Sequence, residues 1–144
     1  MAIATVQQKA KPPVQTLDQQ RAAFIWQKMV TMQKSQLAVF DPYTKLSKGA
    51  GTLIMQNGLM PTLAFYAQKS KGAYSRANGN EHFALLDDIL AWFKQQNLLT
   101  TTNPANAMSE ICQKSSTDYR HITEESLALI RWIRHFASAL NTGE

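Results

Sequence analysis

The chain has 144 residues and a single cysteine, Cys112. No disulfide can form within it, which suits a reducing compartment and leaves the fold to packing alone. At this length a domain buries roughly 70% of the surface its unfolded chain exposes, enough for a core without disulfides or metals. Glycine and proline are few, six and five, and they gather at breaks between segments. No apolar run approaches the roughly 20 residues that span a bilayer. Residues 1–15 hold Lys9, Lys11 and Pro12-Pro13 but no apolar stretch of the kind a signal peptide needs. The expectation is a soluble, cytoplasmic protein with no membrane contact.

Groups that carry catalysis are equally sparse. The three histidines, His82, His121 and His135, lack metal-ligand spacing and read as surface residues. Asp87-Asp88 and Glu124-Glu125 are the only adjacent acids. Neighbours on a helix point about 100° apart, so neither pair converges as a general acid and base must. Gly49 and Gly51 lack the following lysine of a phosphate-cradling loop. Neither an enzymatic activity nor a metal or other cofactor is expected.

What the sequence does have is helix. Abundant Ala, Leu and Gln, six Met and few Val favour it over strand. The pattern predicts an all-α, compact single-domain bundle of about six helices over 16–144, behind a flexible arm at 1–15. Thr16 and Gln19 form a capping box for a first helix over 17–37, whose apolar stripe is Ala22, Ile25, Trp26, Met29, Val30 and Leu37. Asp41-Pro42 reads as cap and first residue of a second helix to about 56, burying Tyr43, Leu46, Ala50, Leu53 and Ile54 and closed by Asn57-Gly58. Pro61 starts a third, with Leu63, Ala64 and Phe65 inward, ending near Gly72. Residues 72–80 form a loop. A fourth helix over 81–96 buries Phe83, Leu86, Ile89, Leu90 and Phe93. Pro104 opens a short fifth with Ala107, Met108 and Ile111, beside which Cys112 reads as a small buried side chain. Thr123 is expected to cap the last helix, 124–141, with Glu124-Glu125 in its first turn and Ile130, Ile133, Phe136, Ala137 and Leu140 inward.

Charge is unevenly spread. Residues 21–76 carry eight basic side chains against Asp41 alone, a net of +7, whereas residues 77–144 net −3. Such asymmetry fits a basic face presented to a polyanion, and it also fits a solvated surface whose charges happen to segregate. The RNA-binding candidates are Arg21 and Lys28 on the first helix, Lys45 and Lys48 on the second, and Lys69, Lys71 and Arg76 at the end of the third and its loop. Tyr74 lies among the last of these, where it is either a platform for a base or an ordinary loop tyrosine. Arg131 and Arg134 share the outward side of the last helix, and a salt-bridged surface explains them as well as RNA does.

Three stretches taken together resemble a known family. They are Gln20-Arg21-Ala22-Ala23-Phe24-Ile25-Trp26-Gln27-Lys28-Met29, then Tyr43 through Phe65 with Asn57-Gly58-Leu59 and Thr62-Leu63-Ala64-Phe65, and Tyr119 through Leu140 with Trp132-Ile133-Arg134-His135-Phe136-Ala137. From about Asp18 to Leu140 the chain is similar to the small subunit of the Cmr-type (type III-B) CRISPR effector complex. The middle stretch is the most specific. The chain departs from the pattern at Gly49, Gly51, Pro61 and His135, and the changes at 49 and 135 each replace a usual basic residue. The type III-A small subunit would look similar at this level. The resemblance implies a helical, non-catalytic subunit that packs in several copies beside the backbone filament, meets other Cmr subunits and stabilises guide and target RNA in antiviral defence. Arg21, Lys28 and Lys48 sit where the family pattern also places basic residues. A purely structural adaptor bridging proteins without touching RNA is the competing expectation.

Overall fold

The computed structural model describes residues 13–71, 74 and 80–141. The arm expected at 1–15 falls mostly outside them, as does most of the loop at 72–80. Among the described residues there are six helices and no strand, as the periodicity predicts. Helix α1, Leu17–Ser35, opens on the expected capping box: Thr16 Oγ1 accepts from the Gln19 amide at 3.0 Å, and Gln19 Oε1 accepts from the Thr16 amide at 2.9 Å. It buries Ile25, Met29 and Met32, while Trp26 stays half-exposed, edge-on against Phe136. Leu37 belongs to the next helix and is exposed.

Helix α2 is Leu37–Asn57, so Asp41-Pro42 lies inside it and does not start it. Val39 and Phe40 are buried, and helix here turns both toward the core. Their amides close onto the Gln36 carbonyl. Pro42 leaves only the Ala38 carbonyl without its intrahelical donor. Asp41, freed from capping, accepts from Asn141 Nδ2 at 2.9 Å and pairs with Lys45 at 3.1 Å. Gly58 makes the turn out of α2 at φ +96°, a backbone conformation costly for any residue with a Cβ. Helix α3, Leu59–Lys69, carries Pro61 in its first turn, where the missing N–H costs nothing. Its buried face is Leu59, Thr62, Leu63 and Tyr66 at spacings of three and four, which turns Ala64 and Phe65 outward, opposite to expectation.

Helix α4, Glu81–Gln95, is capped by Asn80 and buried on nearly every side, including Trp92 and Phe93. It is the central helix, packed against α2, α3 and α6. Helix α5, Pro104–Cys112, opens on the Asn103 cap as read from Pro104. Ala107 and Ile111 face in, which leaves Cys112, one position on, exposed and not buried. Helix α6, Ser116–Leu140, starts eight residues before the expected place, capped by Ser115. Thr123 lies in its interior and donates to the Tyr119 carbonyl. Burial of Ile122 extends the stripe Ser126, Leu129, Ile133 and Ala137 back past Thr123.

That longer α6 moves Glu124-Glu125 from a first turn to mid-helix. Glu125, 4% exposed, accepts from Arg21 Nε at 2.5 Å, Arg21 Nη2 at 2.8 Å and Trp92 Nε1 at 2.8 Å. Arg21 Nη1 donates to Asp18 at 3.0 Å, and the same Asp18 oxygen accepts from Trp132 Nε1 at 2.9 Å. One network thus pins α1, α4 and α6 together, and a second buried bond, Tyr43 Oη to Asp88 at 2.7 Å, ties α2 to α4.

Hydrogen bonds from Arg21 hold the Glu125 carboxyl below its ordinary value of 4.5. A depressed carboxylate contributes stability above its unfolded pKa, and that share is lost as pH falls through the folded value. Urea unfolding should therefore show stability declining below about pH 4.5. Glu125→Ala should cost about 3 kcal/mol at neutral pH and flatten that acid decline. An unchanged acid limb in the variant would show that the network does not set it.

Candidate nucleic-acid interface

Helices α2 and α6 run antiparallel. Asp41, early in α2, meets Asn141, just past the end of α6, and Met55, late in α2, shares a groove with Glu124 and Leu127, in the first half of α6. On α2 the core takes Tyr43, Ser47, Ala50 and Ile54. Lys48, Thr52 and Met55 are left along one exposed flank. On α6 the core takes Leu129, Ile133 and Ala137, so Arg131, Arg134 and His135 stand on the flank facing α2. Between the helices lies a groove of about 510 Å³ with Gly51, Ala128 and Ile130 in its walls. At Gly51 a Cβ would meet only Ile130 Cγ2, at an ordinary contact distance of 3.9 Å.

The electrostatics follow from which charges are paired. Arg131, Arg134 and Lys48 are exposed, and among the described residues no carboxylate comes within 4.0 Å of any of them. Among the described residues Glu124 is the one acid lining the groove, about two helical turns along α6 from Arg131. Arg131 feels Asp18, and Lys48 feels Asp41, only beyond ion-pair distance, so three exposed cations from two antiparallel helices line one trough whose apolar floor offers bases nothing specific to read. Such an arrangement has the chemistry to meet phosphates and none with which to read a sequence.

The sequence candidates do not form one face. Lys48 lines the groove and Lys45 stands one turn along α2, exposed and paired with Asp41. Arg21 is only 15% exposed and its guanidinium is committed to Glu125 and Asp18. Lys28 lies over the Phe24 ring at 5.4 Å and lines a separate polar trough with Gln27, Thr31 and Gln95. Lys69 lies over the Phe65 ring at 5.5 Å on α3, and Lys71 follows with φ 56°. Arg76 lies outside the described residues. Tyr74 stacks on Phe83 at 5.8 Å, which occupies one of its faces. Of the groove's own residues, His135 reads from sequence as ordinary surface, and Arg131 and Arg134 as either salt-bridged surface or RNA contact. Their spacing on α6 was visible there, but the helix they face was not.

A comparison with known proteins bears on this site. The family model described as CRISPR-associated protein (Cas_Cmr5) matches residues 17–140. The chain belongs to the Cas_Cmr5 family. The match runs from the first residue of α1 to the last of α6, so every helix that builds the groove lies within it. The resemblance read from the sequence is borne out, and the chain is the small subunit of a type III-B CRISPR complex, a structural component that associates with other Cmr subunits. Among the described residues, no helix is long and apolar enough to cross a membrane, and no group of three His, Cys, Asp or Glu side chains converges as a metal site would.

Thermal melts should separate the two kinds of basic residue. Lys48→Gln, Arg131→Gln and Arg134→Gln should each leave the melting temperature within about 3 °C. Arg21→Gln should destabilise by about 3 kcal/mol, and adding Glu125→Ala to it should cost far less than the sum of the two. Additive losses would remove Arg21 from the network.

Proposed function

We propose that this Cas_Cmr5 subunit holds guide or target RNA by its phosphates in the groove between α2 and α6. It does so as a non-catalytic, cytoplasmic component that stacks in further copies beside the backbone filament during antiviral defence. The observation that carries the reading is that Lys48, Arg131 and Arg134 line one groove with no carboxylate within 4.0 Å of them among the described residues. Lys45 extends the basic strip along α2. Lys28, Lys69, Lys71 and Arg76 are auxiliary contacts on other parts of the surface, and Arg21 serves chiefly by fixing α6.

One observation favours the adaptor reading for a different part of the molecule. Leu53, Pro61 and Phe65 line an apolar trough of about 530 Å³ between α2 and α3. That surface suits a neighbouring protein subunit better than a polyanion, so both kinds of contact have a place on one small chain.

Titration of single-stranded RNA across salt tests the proposal. Log affinity should fall with log salt by about 0.7 per phosphate neutralised. Replacing Lys48, Arg131 and Arg134 together by Gln should remove about two units of that slope. No binding at low salt, or an unchanged slope in the triple variant with assembly intact, would leave the adaptor reading standing. Metal-dependent RNA cleavage by the purified chain would overturn the non-catalytic role.

A further inference from the structure

We infer that His135 is a fourth phosphate contact in the groove and that its protonation sets how tightly the groove holds RNA, an inference that rests on the RNA-binding reading above. His135 is exposed, follows Arg134 directly and stands one helical turn after Arg131, lining the same trough as Lys48. A phosphate held between Arg131 and Lys48 therefore comes within reach of its imidazole. Imidazole is the side chain whose ordinary titration falls between pH 5 and 8. The neutral ring offers a phosphate one N–H, whereas the imidazolium offers a charge and two N–H donors.

The charged groups around it decide what protonation does. On α6 these are Arg131 and Arg134 beside it and Glu124 at the far end of the groove. From α2 come Lys48 and, farther along, Lys45 with its partner Asp41. Helix α1 covers the other flank of α6, and its Asp18 and Arg21 are spent on Trp132 and Glu125. Exposed Lys34 lies toward the end of α1, where Gln33 donates to the Leu140 carbonyl. Helix α4 presents Trp92 to Glu125 and keeps Asp88 buried against Tyr43. Among the described residues no carboxylate lies within 4.0 Å of His135 to hold an imidazolium in the free protein. Bound phosphate supplies that countercharge. Proton uptake and RNA binding then favour one another by the same factor, as linkage requires.

The test is the affinity of the full chain for a labelled single-stranded RNA, measured across salt at about pH 6 and about pH 8. Binding should be up to about tenfold tighter at the lower pH, within the ordinary range of coupling between two binding events. The salt slope should steepen there by about 0.7, one added phosphate contact. His135→Gln should bind with the shallow slope at both pH values and His135→Arg with the steep one. A merely structural role would not move the slope. His82→Gln and His121→Gln should keep the wild-type response. A pH response that survives His135→Gln, or steep salt dependence with no pH response in the wild type, overturns the inference and leaves the groove reading intact. No binding at either pH overturns both.

Discussion

A carboxylate sealed from water has to find its countercharge inside the fold, and Glu125 in the middle of α6 imposes that demand on three helices at once. An unpaired charge there would cost several kcal/mol. Arg21 is therefore drawn off the surface of α1, and the indole N–H of Trp92 is brought across from α4. The helix macrodipole contributes little at this depth in α6, so the compensation has to come from Arg21 and Trp92. Because Glu125 must point inward, the rotation of α6 about its own axis is fixed. Arg131 and Arg134, six and nine residues on, are turned to the α2 side as a consequence. The core's ion pair thus determines which way the surface cations face.

The same logic sorts the basic residues by what they cost to lose. Arg21 has exchanged solvent for a forked hydrogen bond to a buried acid, and its removal strands that acid. Lys45 with Asp41 is an exposed i, i+4 pair of the sort that adds little. Lys28 and Lys69 lie over aromatic rings, an arrangement that steadies the stem while leaving the head wet. Among the described residues, Lys48, Arg131 and Arg134 have neither an ion pair within 4.0 Å nor a ring beneath them, and Lys48 and Arg131 feel Asp41 and Asp18 only from farther off. Charges left uncommitted by the fold are the ones available to a partner, and here they lie along one groove.

Much of the fold was legible because the apolar spacing is strong: the number of helices, the Thr16 box, the Gly58 turn and the Pro104 start all follow from local chemistry. The two misplaced helix starts share one cause. Asp41-Pro42 and Thr123 are good local start signals, and a cap is worth about 1 kcal/mol. Burying a Phe or Ile side chain is worth about 1.5–3 kcal/mol. Phe40 precedes the first signal and Ile122 the second, each fully packed only if the helix already runs through it. Tertiary burial outweighed the cap in both places. Ala64 and Phe65 went astray for a simpler reason: three consecutive apolar residues cannot all face inward on a helix, and Leu59 and Tyr66 decide which does.

The groove was illegible because charge had been counted along the chain. Residues 77–144 net −3, which made α6 look like the acidic side of the molecule. Two of those acids never reach a partner's view. Glu125 is spent on Arg21, and Asp88 is sealed against Tyr43. Subtracting acids that the fold consumes leaves the α2-facing flank of α6 basic, and the antiparallel pairing sets it beside Lys48. Net charge by segment misjudges a helix whenever its acids point inward and its bases outward. In an amphipathic helix with a buried carboxylate, the surface potential has to be read from the unpaired side chains, and for this chain that reading moves the proposed polyanion-binding face from the first two helices to the seam between the second and the last.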